Sequence, residues 1–197
     1  RSDHEQGGRL IARQLIDSGA RHVVLVGGPR SQFAEATTFP TIRYHLTVER
    51  MLADAGIACD YVEAGIVADI CAHEATARAI FERYSDVDAI VGSDLVASVA
   101  LQEALRRGIS VPRDLQIIAY DGTFMAETAG MRLTAVRQDF PAVAAALASR
   151  MDSQIAADNG TTSAAAAEGG NAVAANGGQS TSEDIISVTL IPGETTR

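Results

Sequence analysis

Two short apolar runs, each ending abruptly in a carboxylate, constrain this chain more than any other feature: AIVGSD over Ala89–Asp94 and LQIIAYD over Leu115–Asp121. A run such as Leu115–Ala119, without polar alternation, reads as a strand buried on both faces, as in a parallel sheet covered by helices. A third run, HVVLVGG over His22–Gly28, ends in a double glycine. At the carboxyl ends of such strands lies the crevice where open α/β sheets bind ligands. Asp94 and Asp121 therefore stand at two of the strongest candidate site positions.

Between these runs the period changes from strand to helix. Leu10, Ile11 and Leu15 form a helical pattern stopped by Gly19. After a polar loop through Phe33, Pro40 can open a helix with an inward stripe of Tyr44, Val48, Met51, Leu52 and Ala55, closed by Gly56. Cys59–Ala64 is a candidate strand and Ala72–Tyr84 a helix. Ser93 or Asp94 can cap the helix carrying Val96, Ala100, Leu101 and Leu105, which Gly108 ends. This alternation with short connections predicts an α/β fold with a parallel, Rossmann-like sheet and right-handed crossovers.

After Asp121 the regularity breaks. Gly122–Met131 reads as a loop, Leu133–Arg137 as a short strand, and Pro141 can start an alanine-rich helix with Val143, Leu147, Met151 and Ile155 on one stripe. From Asp158 to about Asp184 the composition turns to Gly, Ala, Asn, Ser and Thr, which predicts a flexible insert. Ile185–Ile191 is a final strand. The expected organisation is a body over 1–157, an insert over 158–184 and a closing strand with tail over 185–197.

The chain's 197 residues carry 16 basic against 25 acidic side chains, a net charge of −9, with no lysine. Such a surface argues against this piece gripping nucleic acid by itself, because phosphate contacts need clustered Lys or Arg. No apolar run is long enough to span a bilayer and no signal segment opens the chain, so no membrane association is expected. Cys59 and Cys71 form no framework, which makes a reduced, cytoplasmic setting the default.

Several segments, taken in order, resemble the effector-binding region of the LacI/GalR family of bacterial transcription regulators: GGRLIARQLIDSGARHVVLVGGP, ERMLADAGI, AIVGSDLVASVALQEALRRGISVPRDLQIIAYDGT and LTAVRQDF. ISVTLIPGETT resembles the family's closing strand more weakly. The resemblance covers most of the chain to Met151. It implies the second lobe of a periplasmic-binding-protein-like (type I) fold plus one returning helix, with most of the first lobe missing. It further implies a small sugar-like effector, homodimerisation, and contact with operator DNA only through an N-terminal head absent from these residues. No cofactor is implied.

In the family, positions matching Asp121, Gln138 and Phe140 line the effector pocket. Two other pocket positions depart from the pattern: a customary arginine is Tyr44, with Arg43 beside it, and a customary asparagine is Ser93. The family's closing arginine appears as Gly193. Asp121 could instead be a turn residue before Gly122, Tyr44 could belong to the core, Gln138 could be solvated, and Asp94 reads better as a helix cap than as a ligand contact. No G-x-S-x-G elbow, P-loop or complete dinucleotide glycine pattern is present. Cys59, Cys71 and His73 match no standard zinc spacing, so neither catalysis nor a metal is expected. The alternatives are a solute-binding protein of a sugar uptake system, or a small α/β enzyme using Asp94 and Asp121 around a metal.

Overall fold

The computed structural model describes residues 1–35, 41–65, 69–167 and 184–197. Contacts divide these into two units: Asp3–Gln138 with Ser187–Arg197, and Arg1–Ser2 with Asp139–Ile186.

The larger unit holds a six-stranded sheet. Its strands are β1 (His22–Gly27), β2 (Ala58–Glu63), β3 (Ala89–Ser93), β4 (Gln116–Asp121), β5 (Thr134–Arg137) and β6 (Thr189–Ile191). They lie in the order β2-β1-β3-β4-β5-β6, with β1 to β5 parallel and β6 antiparallel to β5. The unalternated strands are buried as expected: Val23, Val24 and Leu25 of β1, and Ile117, Ile118 and Ala119 of β4, are wholly inaccessible.

Helices cover both faces. On one, α1 (His4–Asp17) and α2 (Ile42–Asp54) pack Ile11, Leu15, Val48 and Leu52 against Val23, Leu25 and Ile118. On the other, α3 (Ile70–Arg83) and α4 (Asp94–Arg106) pack Ile80, Ala97 and Leu101 against Val24, Ile90 and Ile117. Gly19, Gly56 and Gly108 end their helices at φ near +70°, the left-handed conformation that glycine adopts without Cβ strain.

Several expectations need correction. The α2 stripe is turned slightly: Ile42, His45 and Thr47 are buried, whereas Met51 is half-buried and Ala55 exposed. Leu105 is also exposed. Pro40 lies outside the described residues. Gly122–Met131 contains a short helix, α5 (Phe124–Thr128), because Thr123 accepts the Met125 N–H with its hydroxyl and supplies the N-cap. The closing strand is shorter than predicted. Beyond it, Thr195 is fully buried: its carbonyl accepts from Ile117 N (2.8 Å), and its hydroxyl accepts from Thr134 N (2.9 Å) and donates to Ile117 O (2.7 Å). The tail is thus fastened to β4 and β5. Gly193 fits this strap only without a side chain, since a Cβ there would collide with the Arg132 and Leu133 carbonyl oxygens.

In the smaller unit, α6 (Phe140–Ala167) starts where Asp139 Oδ1 accepts Ala142 N at 2.9 Å. The helix runs to Ala167, and residues 168–183, which make up most of the insert expected over 158–184, lie outside the description. Leu147, Met151 and Ile155 are 60%, 53% and 56% exposed, so their apolar stripe is uncovered among the described residues. No described helix is long and apolar enough to cross a membrane.

Candidate functional site

The strand order reverses direction between β1 and β3. At such a switch point the connecting helices leave to opposite faces and open a crevice at the strands' carboxyl ends. A cleft of about 400 Å³ occupies this place. Gly27 and Gly28, Ser93, Tyr120 and Asp121 form its floor at the ends of β1, β3 and β4. Ile42, Tyr44 and His45 line one wall from α2; His73 from α3, with Leu95 and Val96 from α4, lines the other.

Asp121 is the cleft's carboxylate, and its backbone is held at φ +126°, a conformation a non-glycine residue keeps only when its surroundings enforce it. The enforcement comes from Asp94. One of its oxygens accepts Gly122 N (3.1 Å); the other accepts both Thr123 N and Thr123 Oγ1 (2.6 Å each). Asp94 is 4% exposed and is not the helix cap expected: its oxygens are committed to the loop after β4. The cap is Ser93, whose hydroxyl accepts Val96 N at 3.4 Å while the residue also lines the cleft. Burial, reinforced by the negative charge of Asp94, pushes the Asp121 carboxyl up to about 6, against the lowering effect of a hydrogen bond from Gln138. That bond runs from Gln138 Nε2 to Asp121 Oδ1 at 2.7 Å.

Tyr44 lies in both the core and the cleft. Its ring stacks on Tyr120 with centroids 3.9 Å apart and planes 8° from parallel, and His45 lies 3.8 Å from it. Two rings this close must occupy opposite faces, so Tyr44 offers the cleft only its edge and hydroxyl. The hydroxyl has no hydrogen-bond partner among the described residues. Burial, with the Asp121 charge second, holds the phenol well above its ordinary pKa and so keeps it a donor. The row extends in both directions: His4 Nδ1 lies 2.6 Å from Tyr120 Oη, and Tyr61 meets His45 edge-on at 5.4 Å. Burial pushes His45 down to about 4, leaving it uncharged near neutral pH.

Of the residues predicted from sequence, Asp121, Ser93 and Tyr44 line the cleft, and Gln138 joins it through Asp121. Phe140 opens α6 in the smaller unit and is half exposed. Arg43 does not take the place of the customary arginine in the lining: it pairs with Glu5 at 3.3 Å. Sequence reading missed His45, Tyr61, Tyr120 and His73. Tyr120 carried a signal, being the residue before a strand-end aspartate; the other three sit in patterns equally consistent with a core.

Among the described lining residues there is one carboxylate and no arginine or lysine. The chemistry suits a small neutral ligand with hydroxyl groups: donors to Asp121, acceptors for Tyr44 Oη, and an apolar surface elsewhere. A nucleophilic role for Cys59 is disfavoured, because burial, then the charges of Glu49 and Asp60, push its thiol up to about 12.

A family model described as a periplasmic binding protein-like domain matches residues 12–173. Among curated relatives, the HTH-type transcriptional regulator CelR of Thermobifida fusca is 29% identical over 140 residues, 69% of this chain and 39% of that protein. The ribose operon repressor of Bacillus subtilis (strain 168) is 32% identical over 123 residues, 61% of this chain and 35% of the repressor. The chain thus spans about 40% of the length of the curated relatives it matches. Among solved structures, a transcriptional regulator CelR–cellobiose complex matches with a TM-score of 0.72 at 22% identity, covering 98% of this chain and 52% of that one. A LacI family regulator from Arthrobacter sp. FB24 in complex with lactose gives 0.76 at 20% identity, covering 99% and 65%. At these identities the structures speak for the fold.

Proposed function

Because this chain belongs to the periplasmic-binding-protein-like domain family and has LacI-family regulators among its homologues, we propose that it is the effector-sensing and dimerising part of a sugar-responsive transcriptional repressor. The observation that carries this reading is the carboxylate of Asp121, fixed at a strand end beside Ser93 and Tyr44 in a cleft with no arginine or lysine among its described lining residues. The ligand is a small neutral carbohydrate, or a related polyol, held by Asp121 and Gln138, with the Asp121 carboxylate supplying charge-assisted hydrogen bonds. Operator contact belongs to a DNA-binding head outside these residues, consistent with a net charge of −9. The protein works in the cytoplasm, as a homodimer and without catalysing a reaction. Sensing is a population shift, which requires the ligand to bind one arrangement of the protein more tightly than the other. Relatives named as repressors of the ribose and sucrose operons favour a regulator over a solute-binding protein of an uptake system.

Thermal melting against a panel of neutral and phosphorylated sugars tests the proposal. A ligand at a hundred times its Kd stabilises by about 2.7 kcal/mol, a clear rise in Tm. A neutral sugar should give that rise and its phosphate ester should not. Stabilisation by the phosphate ester alone contradicts the assigned ligand class.

A further inference from the structure

The inward residues of α3 recur at helical spacing: His73, Ala77 and Ile80. Ala77 and Ile80 are apolar and close the core beneath α3. The first position breaks the pattern with an imidazole, and it is the one that meets the cleft. His73 is 7% exposed, and its Nδ1 is buried with no hydrogen-bond partner among the described residues. Nε2 has no hydrogen bond to a described residue either. Burying an imidazole without partners costs free energy that an aliphatic side chain at the same place avoids. Violations of this kind are expected where a protein keeps polar groups for a ligand.

We propose that His73 is a specificity-determining contact of this cleft, hydrogen-bonding a ligand hydroxyl through its imidazole from the wall opposite Tyr44. The proposal rests on the carbohydrate-binding reading above and adds a further polar anchor to it. α2 and α3 pack on opposite faces of the sheet, so Tyr44 and His73 approach the ligand from opposite layers, with Asp121 between them at the strand ends. An imidazole nitrogen accepts from or donates to a hydroxyl according to its tautomer. A ligand bearing hydroxyls on two sides of its ring is therefore the class that satisfies both walls. The same arrangement discriminates against a deoxy analogue that leaves the imidazole unpaired, because a buried polar group without its partner is penalised.

The test is nuclear magnetic resonance of the full 197-residue chain, titrated with D-ribose, D-glucose, cellobiose, lactose and sucrose. It follows the His73 ring nitrogens and the backbone amides of Ser93, Gly122 and Gln138. The expected result is a sugar that shifts both sets of signals together. His73→Phe should weaken that sugar about three- to ten-fold, and His73→Gln, which returns a polar atom near Nε2, should recover most of the loss. A sugar that shifts the Ser93, Gly122 and Gln138 amides but leaves the His73 ring unmoved, and binds His73→Phe and His73→Gln as tightly as the parent, overturns the role of His73 and leaves the carbohydrate reading standing. A panel that moves neither set overturns the carbohydrate reading, and this inference with it.

Discussion

Gln138 donates its side-chain amide to Asp121 Oδ1 across 2.7 Å, and its backbone N–H to the Asp121 carbonyl across 3.1 Å. A residue that in sequence merely follows a short strand is therefore bound twice to the aspartate at the end of the neighbouring strand. The pair fixes one carboxylate oxygen and leaves the other for the cleft.

The upward shift of Asp121 makes a prediction about pH. Its carboxyl moves from an ordinary 3.8 to about 6 through burial and the Asp94 charge. Stability linked to this group is fully present below 3.8 and is lost as pH rises through about 6. Asp121→Asn should therefore melt higher than the parent at pH 7.5, with the difference shrinking toward pH 4. Carboxyl carbon resonances should show Asp121 titrating near 6. A midpoint near 4 removes the basis for this prediction.

His22 carries the opposite kind of charge at the other end of the sheet. Burial works against its protonation, but hydrogen bonds to Asp60 (2.9 Å) and Asp86 (3.0 Å) prevail and raise its pKa above 6.5. The stability this provides is complete below 6.5 and is lost as pH rises through the raised folded value. Asp60→Asn should lower Tm more at pH 6 than at pH 9. An equal loss at both values shows that His22 is not charged in the fold.

Asp94 should matter far more than an ordinary surface carboxylate. Asp94→Ala removes the acceptor for Gly122 N, Thr123 N and Thr123 Oγ1, leaving buried donors unpaired, and should cost about 2–4 kcal/mol in chemical denaturation. Asp94→Asn, which keeps an acceptor oxygen, should cost less and should also lower the Asp121 titration midpoint. A cost below about 0.5 kcal/mol for the alanine variant, the range of ordinary surface substitutions, contradicts the assigned role.

The fold was largely legible because its central strands are buried on both faces and its helices on one: the apolar runs at Val23–Val26, Ala89–Val91 and Ile117–Ala119, and the stripe through Val48 and Leu52, each follow from burial alone. The cleft was legible only where a polar residue ends a strand, as at Asp121 and Ser93. Tyr44 could not be decided between core and site because it is in both, stacked on Tyr120 and facing the cleft. Asp94 was misjudged because its partners at Gly122 and Thr123 lie 28 and 29 residues away, beyond any local pattern. The buried tail escaped for the same reason: nothing in TTR announces that Thr195 bridges β4 and β5.

That tail supplies a further check. Thr195→Val keeps the shape of the side chain but leaves the Thr134 N–H without its acceptor. The loss should be about 1–3 kcal/mol, read from denaturant midpoints at constant m-value. No loss at all would mean that the strap contributes nothing to the sheet it crosses.

The central claim is that Asp121 holds a neutral hydroxylated ligand in the cleft, and calorimetry of the parent and Asp121→Ala against the sugar that most raises Tm tests it most directly. Losing a charge-assisted hydrogen bond should weaken binding by about ten- to a hundred-fold, while a phosphorylated form of the same sugar should bind neither protein. Equal affinity for the sugar in parent and variant would make Asp121 a turn residue and move the binding site elsewhere.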